Sequence, residues 1–264
     1  MSDSLIADSH ELAREFAVPQ PVMQRFIERF APAHVPKDRF AERSDIMLFV
    51  HIPKTAGMSV GRSLQQCFDQ FRGVDWNDVP KSFRTQTREA CYRQTRMPGR
   101  QVIMGHFAWN EMQLWRNHEM EMKCGTILRD PLDRLVSNYN YNCSDAHPDN
   151  PNFRKRFPTL RDFARTLPYD LQIMQTIGVI TSFAHGMEKF IRHYSFIGVT
   201  EQLPASLQHL SRSHGLPAAP EFRENVGKIP SSGDHDPELR EIVEKRSVND
   251  LRLHRLMQRL YAGG

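Results

Sequence analysis

Apolar positions along this chain recur in two rhythms. Ile46 to His51, Val102 to Met104, Gly125 to Leu128 and Phe196 to Val199 are short runs of the kind that make strands buried on both faces. Between and after them the apolar residues fall at helical spacing: from the loop at residue 53 to about 71, then over 131–142, 159–167, 170–177 and 203–213. In the 131–142 stretch, Leu132, Leu135, Val136 and Tyr139 are spaced for one buried face. Residues 237–261 read as one long helix, with Leu239, Ile242, Val243, Val248, Leu251 and Leu253 among its apolar positions. Strands that alternate with helices predict an α/β fold with a central, mainly parallel sheet flanked by helices. No internal repeat or low-complexity tract interrupts the pattern.

The first 43 residues follow a different pattern. Asp8–Phe16 and Val22–Phe30 are helix-like, broken by Pro19-Gln20-Pro21 and followed by Ala-Pro-Ala-His-Val-Pro-Lys. The expected organisation is a helical extension over 1–43 and one domain over 44–264. The extension could cover the core, contact a second subunit of a homodimer, or complete a binding site. A chain of 30.7 kDa with 39% hydrophobic residues can bury one sizeable core. No apolar run approaches the roughly 20 residues that span a membrane. The start, Met-Ser-Asp-Ser-Leu-Ile-Ala-Asp-Ser-His, has neither the basic segment nor the apolar core of a signal peptide. A soluble, cytoplasmic protein is the expectation.

Two segments bring in chemistry. Phe49–Ser59 reads Phe-Val-His-Ile-Pro-Lys-Thr-Ala-Gly-Met-Ser, an apolar strand ending in a turn that opens a helix. Small residues there bring backbone N–H groups close together, and the helix aims its positive end at an anion. Lys54 adds a mobile charge where a terminal phosphate or sulfate would lie. The turn differs from the ATP-type loop: its lysine precedes the glycine, and no Lys-Ser or Lys-Thr pair opens the helix at the usual place, after the glycine, to hold a phosphate and magnesium. A nucleotide or small-molecule kinase is therefore a strained reading. On this segment alone the alternative is an ordinary strand-to-helix turn with a solvated lysine.

The second segment, Gly125–Tyr141, places Arg129 at the carboxyl end of a strand. Pro131 lies in the first turn of the next helix and Asp130 is its N-cap candidate. Ser137 lies eight positions after Arg129, so a guanidinium and a hydroxyl could converge on one anion. The plainer readings are a salt bridge from Arg129 to Asp130 or Asp133, and a solvated Ser137.

Together the two segments resemble the sulfotransferases that use 3′-phosphoadenosine-5′-phosphosulfate (PAPS). The closer likeness is to the carbohydrate, heparan sulfate 2-O type branch and its bacterial relatives. Phe-Val-His-Ile-Pro-Lys-Thr-Ala-Gly-Met-Ser is similar to that family's 5′-phosphosulfate loop, and Ile-Leu-Arg-Asp-Pro-Leu-Asp-Arg-Leu-Val-Ser-Asn-Tyr-Asn-Tyr to its 3′-phosphate site. Met58 departs from the pattern, standing where the family more often has threonine. The resemblance implies a P-loop-like three-layer fold, with PAPS as donor, PAP as product and no metal. It implies that Lys54 contacts the oxygen between phosphate and sulfate, and that Thr55, Ala56, Gly57, Met58 and Ser59 donate to the 5′-phosphate. Arg129 and Ser137 would grip the 3′-phosphate. Glu224–Lys228 resembles a stretch that closes over the nucleotide, with Lys228 as a donor contact. The acceptor implied is a small molecule or glycan. Eukaryotic relatives carry a membrane anchor, so the absence of one favours a bacterial-type enzyme.

A transfer of this kind also needs a proton acceptor. His106 stands out because Gly105 and His106 follow the strand at Val102–Met104, at a strand end where open α/β sheets place ligands. The Gly-His turn followed by aromatics also resembles the segment carrying the catalytic base of the 2-O branch. An ordinary histidine pKa near ~6.5 suits proton transfer at neutral pH. The plainer reading is a histidine packed on Phe107 and Trp109 and satisfied by a backbone carbonyl. His51 is a minor rival, expected to pack beneath the turn.

The remaining composition excludes more than it adds. Cys67, Cys91, Cys124 and Cys143 lie far apart without a Cys-x-x-Cys pair, and His10, His34, His118 and His147 lack ligand spacing, so no metal site is expected. The net charge of +4 is too small for a large phosphate footprint, which argues against a nucleic-acid partner. A non-catalytic nucleotide binder on the same fold stays a third class. Two local basic groups, Arg84/Arg88/Arg93/Arg96/Arg100 and Arg154/Lys155/Arg156/Arg161/Arg165, could attract an anionic donor or acceptor, or be solvated helix faces.

Overall fold

The computed structural model describes residues 3–34, 46–74, 85, 89, 99–116, 122–220, 222 and 237–263, with side chains from residue 8 onward and none over 114–122. At its centre is a five-stranded sheet: β1 (Ile46–Val50), β2 (Gln70–Val74), β3 (Gln101–Gly105), β4 (Met122–Leu128) and β5 (Tyr194–Val199), in the order β2-β3-β1-β4-β5. All four pairings are parallel. Each residue of β1 is buried, because helices cover both faces; this is why the strand reads as an unbroken apolar run. Ile46, Leu48 and Val50 face one core with Phe26, Phe30, Leu253 and Leu256. Met47 and Phe49 face the other with Val60, Leu64, Leu207 and Leu210. This is the three-layer α/β arrangement the sequence predicts.

The helices Asp3–Glu15 and Gln20–Phe30 cover the sheet, one of the roles open to residues 1–43. Met23, Phe26 and Phe30 are fully buried within the same core as β1. Each such side chain contributes about 1.5–3 kcal/mol by leaving water. Arg29 Nε ties the second helix to β5 through Tyr194 O at 2.9 Å.

Two elements differ from expectation. The helix after the phosphate-type loop runs Gly57–Cys67 and stops; Gln70–Val74 is instead the edge strand β2. Its sequence, Gln-Phe-Arg-Gly-Val, is half polar because an edge strand is only partly covered. Residues 237–261 form two helices, Pro237–Arg246 and Val248–Ala262. The break comes from another part of the chain: Asp170 Oδ1 accepts from Asn249 N at 2.7 Å and Asp250 N at 3.1 Å, capping the second helix from outside. Asp250 returns the favour, accepting from Gln172 N and Ile173 N at 3.0 and 2.9 Å to cap the Leu171–Ile177 helix.

β1 lies between β3 and β4, so the carboxyl ends of these three strands adjoin. Val50 is paired with Gly105 on one side and Thr126 on the other. Open α/β sheets bind their ligands at such a place, where the chain departs to both sides.

Candidate active site

Three residues extend these strand ends: His51 after β1, His106 after β3 and Arg129 after β4. The parallel register sets His51 beside His106. His51 N donates to Gly105 O at 2.8 Å, carrying the ladder one step past the strands. The two imidazoles stack with centroids 4.3 Å apart and planes at 26°. His106 Nδ1 lies 2.7 Å from His51 O. A carbonyl can only accept, so Nδ1 carries a proton, and in the neutral ring Nε2 holds the lone pair. The histidine is satisfied by a backbone carbonyl, and that bond selects the tautomer a general base requires.

His51 packs under the turn. Its Nε2 is enclosed and has no hydrogen-bond partner. Burial, then the charges of His106 and Lys54, push its pKa down to about 3, so it stays neutral. Its ring lies against Gly57, where a Cβ would come within 1.8 Å of Nε2. Only glycine admits the ring there.

The loop that follows is a tight turn with an unusual backbone. Lys54 and Ala56 have left-handed φ values of 72° and 59°, although neither is glycine. Such residues cost about 1 kcal/mol or more each and turn successive N–H groups to one side. Thr55 turns inward and closes the turn: its hydroxyl donates to Ile52 O at 2.9 Å and its N–H to the same oxygen at 3.3 Å. The Gly57–Cys67 helix has no side-chain cap and no acid in its first turn. The contrast with the Pro131–Cys143 helix is informative. There Asp130 accepts from Leu132 N and Asp133 N at 2.9 and 3.1 Å, so that helix supplies its own anion. The helix at Gly57 has no acidic side chain of its own at its positive end.

Arg129 binds neither Asp130 nor Asp133; its guanidinium donates to Lys54 O at 3.0 Å. Its main chain is clamped by Gln172, whose Oε1 accepts from Arg129 N at 3.0 Å and whose Nε2 donates to Arg129 O at 2.9 Å. Glu201 holds the next peptide, accepting from Asp130 N at 2.8 Å, and its second oxygen lies 2.9 Å from His254 Nε2. Lys54 Nζ sits 4.2 Å from the centroid of the Tyr141 ring. Burial first, and Arg129 second, lower its pKa. Ser137 is half-buried and stands one turn before Tyr141 on the same helix.

His106, Lys54, Thr55, Ala56, Gly57, Met58, Ser59 and Arg129 thus occur in three segments that follow the adjoining carboxyl ends of β3, β1 and β4, and Ser137 lies in the helix after Arg129. Lys228, with the Glu224–Lys228 stretch, lies outside the described residues, as do Arg84, Arg88, Arg93, Arg96, Cys91 and His118. In the second basic group, Arg161 and Arg165 both pair with Glu238, at 2.7 and 2.6 Å, and Arg154 Nε donates to Cys143 O at 2.7 Å. Cys67, Cys124 and Cys143 are free thiols. Among the described residues no group of three His, Cys, Asp or Glu side chains could share a metal ion. No described helix is long and apolar enough to cross a membrane. Sequence reading singled out neither Tyr141 nor the glutamines Gln172 and Gln175. Glutamine carries no motif of its own, and only the i, i+3 spacing of the pair hints at a shared face.

The family model described as the sulfotransferase family matches residues 37–262. The chain belongs to that family, and it is a sulfuryl-transferring enzyme. Among solved structures it is similar in fold to a sulfotransferase from Alicyclobacillus acidocaldarius, at 16% identity, with 83% of this chain and 96% of that one covered and a TM-score of 0.50. It also matches the mouse sulfotransferase SULT7A1 complexed with PAP, at 17% identity, over 81% of this chain and 69% of that one, with a TM-score of 0.42. No curated protein matches it.

Proposed function

We propose that the enzyme takes its sulfuryl group from PAPS and passes it to an acceptor hydroxyl of a glycan or glycoconjugate, as in the 2-O carbohydrate branch and its bacterial-type members. The observation that carries this reading is the bond of His106 Nδ1 to His51 O at 2.7 Å, which fixes a base of defined tautomer to the first residue of the donor loop.

Each residue then has a task. The N–H groups of Ala56, Gly57, Met58 and Ser59, on a turn closed by Thr55, hold the 5′-phosphate at the uncapped helix end. Arg129 and Ser137 hold the 3′-phosphate, which ATP lacks; Lys228 is a further donor contact in the same proposal. His106 Nε2 takes the acceptor's proton as the acceptor oxygen bonds to sulfur. The opposite S–O bond breaks, and Lys54 neutralises the charge left on the phosphate oxygen. Burial and Arg129 lower the Lys54 pKa, which makes its ammonium a better hydrogen-bond donor to that oxygen. The sulfuryl group carries less charge than a phosphoryl group, so lysine and backbone donors suffice. A kinase is not favoured, because the Lys54-Thr55 pair precedes Gly57 instead of following the glycine into the first turn of the helix.

Calorimetric titration with adenosine 3′,5′-bisphosphate and with ATP tests the donor. The proposal expects the bisphosphate to bind more tightly, with no change on chelating magnesium. Tighter ATP binding, or binding lost on chelation, would overturn it.

A further inference from the structure

His51 O accepts from two side chains. Besides His106 Nδ1, it receives Gln175 Nε2 at 3.0 Å. A carbonyl oxygen has two lone pairs, so both donors are accommodated. With His51 N committed to Gly105 O at 2.8 Å, the whole peptide unit is fixed from both ends.

Gln175 belongs to the Leu171–Ile177 helix, and Gln172 stands one turn before it. Residues three apart share a helix face. From that one face Gln172 grips both main-chain groups of Arg129, and Gln175 grips the carbonyl that orients His106. The helix is itself anchored, its first N–H groups accepted by Asp250 at 3.0 and 2.9 Å. A single short helix therefore holds main-chain groups of both His51 and Arg129.

We infer that Gln175 is a positioning residue for the sulfuryl transfer: through the His51 carbonyl it holds the His106 imidazole in the Nδ1–H tautomer, with Nε2 toward the acceptor. The inference rests on the proposed role of His106 as base. It goes further in assigning the base's orientation to a residue on the helix that also holds Arg129. The ring of His51 supports the same end. Lodged against Gly57, it stacks on the His106 imidazole.

Gln175→Met tests this, since methionine keeps the length and volume of glutamine and removes the donor. In the full-length protein the variant is expected to lose kcat by about five- to twentyfold, with the donor KM unchanged within about twofold. Independently of turnover, 15N NMR of the histidine ring nitrogens, without nucleotide, should show His106 as the Nδ1–H tautomer in the parent protein and as a mixture in Gln175→Met. A variant whose tautomer stays single and whose kcat stays at the parent value overturns the inference. Because the tautomer is read without donor or acceptor, it is decided even if PAPS proves to be the wrong donor. A parent His106 in the Nε2–H form also sinks it.

Discussion

The Arg129 guanidinium donates to the main-chain carbonyl of Lys54 across 3.0 Å, so the residue at the end of β4 holds the residue in the loop after β1. Arg129 braces the loop, and on the proposed reading it also binds the nucleotide. Arg129→Ala should weaken adenosine 3′,5′-bisphosphate by about tenfold to a hundredfold and also lower kcat, because Lys54 loses its tether. Arg129→Lys, which keeps charge but not the fork, should fall between. Calorimetry with the three proteins checks this; equal affinity in all of them contradicts it.

Tyr141 offers the face of its ring to the Lys54 ammonium at 4.2 Å. A contact of this kind contributes on the order of 0.5–1 kcal/mol when half exposed. Tyr141→Phe should keep transfer near the parent rate, whereas Tyr141→Leu should lower kcat a few-fold. Parallel loss in both variants would show that the hydroxyl, not the ring, matters.

Gly57 admits the His51 ring, and a Cβ there would lie 1.8 Å from Nε2. Gly57→Ala must displace a ring that is stacked on His106 and whose carbonyl orients it. Expected are a destabilisation of about 1–3 kcal/mol and a loss of kcat/KM of tenfold or more, read by urea unfolding and by kinetics. An alanine variant with parent kinetics would mean that the stacked pair is dispensable.

Buried histidines give the fold an acid limit. Burial lowers the pKa of His51 to about 3, of His209 to about 4 and of His214 to about 3. Above the ordinary value near 6.5 neither the folded nor the unfolded state binds these protons. Below it the unfolded chain takes up protons that the folded protein refuses, so stability falls as pH drops from about 6.5 toward 4. Asp250, raised to about 6 by burial, works in the opposite sense, since the folded protein binds its proton first. Three groups against one leave a net loss on the order of 1–3 kcal/mol per pH unit. Urea midpoints at pH 7.5, 6 and 5 should decrease in that order; a flat series contradicts the assignment.

Much of this was legible in the sequence, for identifiable reasons. β1 and the helix after Asp130 could be read because their residues serve one purpose each: an apolar run buried on both faces, and a cap–proline start with apolar spacing. His106 and Arg129 could be read because they stand directly after apolar runs. What escaped is held by distant parts of the chain. β2 is half polar, being an edge strand. The break at Ser247 depends on Asp170, whose carboxylate caps a helix nearly eighty positions away (|i−j| of 79 and 80). Gln172 and Gln175 act on backbone groups of other segments, which no local pattern records.

The central claim is that His106 is the base in a transfer from PAPS. The direct measurement is the rate of labelled sulfuryl transfer by His106→Ala, with its affinity for adenosine 3′,5′-bisphosphate taken on the same protein. The account predicts a rate lowered by about a hundredfold to ten-thousandfold and an affinity within about twofold of the parent. Transfer at the parent rate would contradict it.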